Sequence, residues 1–152
     1  MKLNEAQKLA NQLMIEHGIV QNGWRFEFDR AKRRFGCCKY RTKKITLSMY
    51  MTELNSEEQV KNTILHEIAH ALVGFKNGHN FVWQRKAIEI GCDGNRCYNS
   101  LEVEKPKGNY SAQCNNCNTN FVRYRKPKKS QSCGRCSGGR YNENYKLEWK
   151  TN

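Results

Sequence analysis

The most constraining feature of this chain is a five-residue motif, His66-Glu67-Ile68-Ala69-His70. Residues four apart lie on one face of an α-helix, so both imidazoles can bind the same metal ion, and zinc is the ion that this pattern favours. Glu67 lies beside them, where its carboxylate can take a proton from an attacking water as a general base. The motif therefore predicts a helix with a zinc site and a catalytic group. The alternative is a structural helix with two hydrogen-bonded histidines, which leaves no reason for a glutamate in an apolar stretch.

The residues before the motif predict where its helix begins. Ser56 and Gln59 have the spacing of a capping box, and Glu57 and Glu58 between them suit the positive end of the helix dipole. Apolar residues then recur at helical spacing, at Val60, Ile64, Ile68, Ala71 and Leu72.

A catalytic zinc site needs a third protein ligand, and His79 is the best candidate among the remaining histidines. Asn77-Gly78 is a turn signal that ends the motif helix, and a new apolar pattern follows, so His79 is predicted to open the next helix and fold back towards the motif. His17 ends the first predicted helix and is expected at the surface. An ordinary loop histidine is the alternative for His79.

Eight cysteines include two Cys-x-x-Cys pairs separated by 15 residues, which is zinc-ribbon spacing. The four thiols could form a closed structural zinc site: Cys114, Cys117, Cys133 and Cys136. Residues 120–125 and 141–149 are predicted to supply strands of the ribbon. The competing interpretation is two disulfides in a secreted domain. No apolar leader opens the chain, however, so we expect a reducing cytoplasm, and zinc rather than disulfides.

The other four cysteines are less informative. Cys37 and Cys38 lie in a predicted strand, residues 35–41, and are expected to be partly buried fillers. Cys92 and Cys97 could hold a second metal ion, but a structural loop with two free thiols is the favoured interpretation.

The motif, the following Gly78-His79 and the aromatic pair Phe81 and Trp83 resemble the SprT-like zinc metalloprotease family, to which the protease Spartan belongs. The resemblance extends to the cysteine pairs, because Tyr110-x-x-x-Cys114 looks like the aromatic start of that family's zinc ribbon, so it covers roughly residues 1–150. The chain departs from the metzincin pattern, since eight residues separate His70 from the third histidine.

The fold class is predicted as α+β, with a zincin-like metalloprotease domain over residues 1–105 and a zinc ribbon over 106–152. An amphipathic first helix ends before Gly18. Strands over 24–28, 35–41 and 44–48 are expected to form a small antiparallel sheet ahead of the motif helix. A strand edge beside the zinc would let a substrate backbone add as an extra strand.

The formal net charge of +13 favours a polyanionic partner. The positive charge is clustered in residues 30–34 and 123–129. In the second cluster an aromatic residue lies among the cations, a pattern suited to single-stranded nucleic acid. The predicted contact residues are Arg33, Arg34, Arg123, Tyr124, Arg125, Lys126, Lys128 and Lys129. The alternative is a solvated basic face. The family resemblance favours DNA over RNA.

Taken together, the sequence predicts a zinc-dependent endopeptidase with one catalytic and one structural zinc. The resemblance implies that its substrates are DNA-associated or DNA-crosslinked proteins. The lack of a secretion signal leads us to expect a cytoplasmic protein, associated with the nucleoid or with DNA. No apolar run long enough for a membrane span occurs. The chief alternative is a non-catalytic nucleic-acid-binding adaptor or regulator, and a zinc hydrolase acting on another bond is a third. No residue could be assigned to oxyanion stabilisation.

Overall fold

The computed structural model describes residues 1–97 and 102–152. These divide into two compact units, Met1–Pro106 and Lys107–Asn152, and each is described by itself. The first contains four α-helices and three strands: α1 (Leu3–Glu16), β1 (Arg25–Asp29), β2 (Gly36–Lys39), β3 (Lys44–Ser48), α2 (Met49–Leu54), α3 (Glu57–Val73) and α4 (Phe81–Glu89). The second contains three short strands: β4 (Tyr110–Gln113), β5 (Asn120–Arg123) and β6 (Lys150–Thr151). The predicted α+β class is confirmed.

The sheet of the first unit is mixed, so the expected antiparallel arrangement is wrong. Its strand order is β1-β3-β2, with β3 antiparallel to β2 and parallel to β1. A tight turn, Tyr40–Thr42, joins β2 to β3, and Lys43 closes it in the left-handed conformation. β3 therefore returns between the two earlier strands and pairs with both. Its apolar residues Ile45 and Leu47 are fully buried, as a central strand requires.

Helix α3 begins where the sequence predicts. The Ser56 hydroxyl accepts a hydrogen bond from the Gln59 backbone N–H at 3.3 Å, and the Gln59 side chain accepts one from the Ser56 N–H at 3.1 Å. The helix ends at Gly74, which has a φ of 80°. Helix α4 is capped by Asn80, whose side-chain oxygen accepts from the Val82 and Trp83 backbone N–H groups. His79 therefore immediately precedes the cap.

The core of the first unit lies between the sheet and the helices α1 and α3. Apolar side chains from each of these elements are almost fully buried, as are Trp83 and Ala87 of α4: Ala6, Ala10, Leu13, Met14, Ile45, Leu47, Val60, Ile64, Leu65 and Ile68. Burying a large aliphatic side chain contributes roughly 1.5–3 kcal/mol, so this core is the main source of stabilisation in the first unit. It leaves α3 firmly fixed behind the motif residues.

The second unit has a sheet of order β5-β4-β6 and a much smaller core. The buried hydrophobic residues of this core are Ala112, Cys114, Cys133 and Leu147. The strand predicted over 120–125 is confirmed as β5, but the strand predicted over 141–149 is wrong. That segment contains a 3₁₀ turn, Glu143–Tyr145, because the Asn142 side chain accepts a hydrogen bond from the Asn144 N–H at 3.0 Å.

Within the described residues, no helix has the length and apolar character needed to cross a membrane.

Candidate metal centre

Three histidine side chains converge on one point. The Nε2 atoms of His66 and His70 are 3.2 Å apart, and the Nε2 of His79 lies 3.0 Å from each of them. His66 and His70 are one turn apart on α3, and the short turn Phe75–Asn77 brings His79 back over the helix. The structure thus brings together all three histidines that the sequence proposed as ligands.

The spacing and protonation of these histidines suit a metal ion. Three nitrogens bound to a tetrahedral zinc at about 2.0–2.1 Å stand roughly 3.3 Å from each other, close to the separations in this cluster. Burial lowers the pKa of His66 to about 4, against the opposing effects of Asp93 and a hydrogen bond to the Asn95 backbone. Burial likewise lowers the pKa of His70 to about 3, and burial followed by Arg96 lowers that of His79. At neutral pH all three are neutral imidazoles, the form that binds metal.

Trp83 forms the floor beneath the three imidazoles. Its ring centroid lies 4.6 Å from those of His66 and His79 and 5.2 Å from that of His70, and only 1% of the residue is exposed. A large apolar ring here excludes water from the back of the site and restricts the histidine rotamers. The sequence singled out Trp83 for the family pattern, but not for this contact.

Glu67 is buried beside the histidines, with 7% of its surface exposed. Burial raises the pKa of its carboxyl to about 8, although a hydrogen bond from the Cys38 backbone and the nearby Arg34 cation oppose the rise. A carboxyl that titrates near neutral pH is suited to accept and return a proton.

Strand β2 holds Glu67 through a residue that the sequence analysis missed. A Cβ on Gly36 would lie 2.6 Å from the Glu67 Oε1 and 2.9 Å from its Cγ, so any other residue would displace the carboxylate. Because Gly36 has no side chain, the Glu67 carboxylate can lie directly against β2, where the Cys38 backbone N–H is its hydrogen-bond donor. The signal was available, since an isolated glycine within a strand often marks a close approach.

The histidines and Glu67 line a cleft of about 790 Å³, whose walls include β2 and the aromatic residues Phe35, Tyr40 and Phe75. Arg33 and Arg34, predicted to contact nucleic acid, also line it. Arg34 donates a hydrogen bond to Asp29 at 2.7 Å, so it ties the β1–β2 loop to the sheet. Its guanidinium thus has a structural contact in addition to any contact with a ligand.

The four ribbon cysteines also converge. The Sγ atoms of Cys114 and Cys136 are 3.8 Å apart, and those of Cys117 and Cys133 are 3.6 Å apart. Four sulfurs bound to a tetrahedral zinc at about 2.3 Å would stand roughly 3.8 Å from each other. Each of the two groups could therefore hold one metal ion.

The ribbon's basic segment follows β5. The Arg123 guanidinium lies 5.4 Å from the centre of the Trp149 ring, and Tyr124 is half-buried. The remaining predicted contact residues, Arg125, Lys126, Lys128 and Lys129, are exposed. The structure thus places these side chains where a ligand could reach them.

The remaining cysteines form no further metal group among the described residues. Cys37 and Cys38 are half-buried in β2, as expected for fillers. Burial raises the pKa of Cys92 to about 11, so its thiol stays protonated, and Cys97 is exposed. The described residues therefore give no support to the alternative that Cys92 and Cys97 hold a further metal ion.

Comparison with known proteins gives one clear result. Among solved structures, the chain is similar to the metallopeptidase zymogen jannalysin of Methanocaldococcus jannaschii, with 20% identity over 64% of this chain and 85% of that one and a TM-score of 0.49. That likeness is weak. No curated protein matches the chain. The SprT-like family, in contrast, matches over residues 3–105, which include both the histidine cluster and Glu67. The chain therefore belongs to the SprT-like family, as its motif residues predict.

Proposed function

We propose that this protein is a zinc-dependent endopeptidase. The observation that carries the proposal is the convergence of three neutral imidazoles in one open cleft, with a buried carboxylate beside them. Membership of the SprT-like family supports the same conclusion independently. A purely structural metal site would leave the costly burial of Glu67 unexplained.

The histidine cluster suits zinc as its resident ion. His66, His70 and His79 would supply three nitrogen ligands and leave a fourth position open to the cleft, as catalytic zinc sites require. Bound there, zinc supplies Lewis-acid polarisation of the scissile carbonyl and lowers the pKa of a water molecule at the open position.

Glu67 moves the proton. Its carboxylate accepts a proton from the attacking water as the water oxygen forms a bond to the carbonyl carbon. It then donates that proton to the amide nitrogen as the carbon–nitrogen bond breaks, so the amine leaves neutral and Glu67 is regenerated. Gly36 and the Cys38 backbone N–H keep the carboxylate oriented throughout.

The substrate would bind in extended form. Strand β2 is at the edge of its sheet and lines the cleft, so a polypeptide can lie beside it and present a carbonyl to the histidine cluster. The aromatic walls, Phe35, Tyr40 and Phe75, would contact the substrate's side chains.

The test is cleavage of a protein substrate by the wild type and by Glu67→Gln. Glutamine keeps the shape of the side chain but cannot take up the proton, so turnover should fall at least about 10²–10⁴-fold. Zinc content should be unchanged, because Glu67 is not a ligand. Equal turnover in the two proteins would refute the mechanism.

For the natural substrates we propose proteins that are bound or crosslinked to DNA. The support is the exposed basic segment of the ribbon and the net charge of +13. Removing two cations, Lys128→Ala with Lys129→Ala, should weaken binding to single-stranded DNA and reduce its dependence on salt concentration. The matched control is Lys8→Ala with Lys61→Ala, two exposed lysines on α1 and α3, which should bind like the wild type.

The same basic segment favours one alternative, a nucleic-acid-binding adaptor without catalysis. Cleavage of a DNA-bound basic protein, measured with and without DNA, separates the two functions. Cleavage that needs Glu67 and increases with DNA supports the protease. DNA binding that is tight but never accompanied by Glu67-dependent cleavage would favour the adaptor.

A further inference from the structure

A loop outside the three-histidine cluster lines the same cleft as the cluster and lies beside His66. We propose that residues 92–95, here called the 92–95 loop, fix the orientation of the His66 imidazole, with Asp93 as the positioning residue. This inference rests on the proposed metal site but concerns residues that the family motif does not include.

The His66 ring has two nitrogens with different surroundings. Its Nε2 faces the other two histidines at 3.0 and 3.2 Å. In the cleft that it lines together with Asp93 and Asn95, the ring has the Asn95 backbone as a hydrogen-bonding partner, which acts to raise the pKa of His66 against the effect of burial. Since Nε2 is turned into the cluster, Nδ1–H is the group available to donate to the Asn95 carbonyl. A histidine that donates through one nitrogen presents the lone pair of the other to a metal, in a fixed direction.

Asp93 holds Asn95 in place for that contact. One carboxylate oxygen of Asp93 accepts a hydrogen bond from the Asn95 backbone N–H at 2.9 Å, and the other accepts one from the Asn95 side chain at 3.1 Å. Asp93 in turn is anchored to α3, because its backbone N–H donates to the Asn62 side chain at 2.9 Å. Asn62 lies one helical turn before His66, so the loop and the ligand are tied to the same helix.

Helix α4 supports the loop from its other side. The Cys92 backbone N–H donates to the Ala87 carbonyl at 2.9 Å, and the Gln84 side chain donates to the Gly94 carbonyl at 3.4 Å. Gly94 has a φ of +71°, and a Cβ there would lie 2.9 Å from the Ile88 side chain. Only glycine fits this close, left-handed position. The 92–95 loop is therefore fixed against both α3 and α4, and this keeps the Asn95 carbonyl beside His66.

The test measures the zinc affinity of the histidine site in the full chain, by chelator competition with the ribbon already loaded. Asp93→Ala removes both acceptors and should weaken zinc binding about 10–100-fold, as expected for a partner that orients a ligand. Asp93→Asn keeps one oxygen that can accept from the Asn95 N–H and should recover most of the affinity. Glu89→Ala, which removes an exposed carboxylate from nearby α4, is the matched control and should bind zinc like the wild type.

A second readout does not depend on metal at the site. Nuclear magnetic resonance of the full chain should show a slowly exchanging His66 ring N–H in the wild type and in Asp93→Asn, and lose it in Asp93→Ala. Unchanged zinc affinity in Asp93→Ala, or an Asp93→Asn variant as weak as Asp93→Ala, would overturn the proposal, as would a ring N–H that survives in Asp93→Ala. If the wild type bound no zinc at the histidines, the proposed function would fail, whereas the His66 hydrogen bond would still be decided by this second readout.

Discussion

The two metal-binding groups of this chain are built in opposite ways. Two of the three clustered histidines lie on α3, a helix fixed by a core that spans three strands and four helices. The cysteine cluster lies in a unit whose core has four buried hydrophobic residues, two of which, Cys114 and Cys133, are themselves candidate ligands. We therefore expect the first unit to fold before any metal binds. In the second, the metal would replace the missing core.

This difference explains what each site can do. A site on a rigid scaffold can leave one coordination position open for chemistry, because the fold does not depend on the ion. A site that holds its own unit together must use all its ligands for that purpose. The histidine cluster is accordingly open to a cleft, while four thiols surround the other point from all sides.

The largest expected effect is the loss of the ribbon on metal removal. Cys133→Ser breaks the four-thiol set, and structural zinc supplies about 10–16 kcal/mol of apparent folding free energy in small domains. Residues 107–152 should then lose protection from proteolysis, while residues 1–106 remain folded. Limited proteolysis with mass spectrometry measures both. A ribbon that stays protected would contradict the contrast between the two units.

The converse change acts on the first unit alone. Ile64 is fully buried in α3, so Ile64→Ala should lower the free energy of unfolding of this unit by about 2–5 kcal/mol. Denaturant titration monitored by tryptophan fluorescence measures the change. Ile15→Ala is the control, since Ile15 is 63% exposed on α1 and its loss should have little effect. Equal destabilisation by both variants would show that the core assignment is wrong.

A smaller change tests the close contact between Gly36 and the general base, Glu67. Gly36→Ala places a methyl group where the Glu67 carboxylate lies, and a displacement of about 1 Å can reduce turnover roughly 100-fold. The kcat should fall while KM and zinc content change little. Gly134→Ala is the control, because a Cβ there meets nothing within 4 Å. Unreduced kcat in Gly36→Ala would remove Gly36 from the mechanism.

The smallest effect concerns Asp29 and the pH dependence of stability. Burial acts to raise the pKa of Asp29, but hydrogen bonds from the Ala31 N–H, the Thr46 hydroxyl and Arg34 outweigh it, so the pKa lies below 3.8. A lowered pKa means that the stabilisation is complete above the unfolded value and is lost as pH falls through the folded one. Asp29→Asn should cost about 1 kcal/mol at neutral pH. It should also flatten the loss of stability in acid, as thermal unfolding at several pH values would show.

How much the sequence could predict depends on the range of the interactions. The start of α3 follows from Ser56 and Gln59, which lie within one turn, and the cysteine knuckles follow from equally local spacing. The central position of β3 could not be predicted, because strand order depends on packing of the whole unit. The prediction of a strand over 141–149 was wrong for a local reason, because the Asn142 side chain stabilises a turn there.

The candidate site divides in the same way. One motif and one turn signal were enough to predict the three histidines and Glu67. The contact of Gly36 with Glu67 joins residues 31 positions apart, and the 92–95 loop, which lies beside His66, follows α4. Neither contact produces a periodic pattern in the sequence. The isolated glycine within β2 does signal a close approach, but its partner Glu67, like the partner of the 92–95 loop, can only be read from the fold.

The most direct test is a zinc titration of the metal-free full chain, with cleavage of a protein substrate measured at each step. Four thiolates bind zinc more tightly than three imidazoles, so the first equivalent should fold the ribbon without producing cleavage. Cleavage should then appear with the second equivalent, and Glu67→Gln should take up both without cleaving. Full activity after one equivalent, or cleavage by Glu67→Gln, would contradict the account.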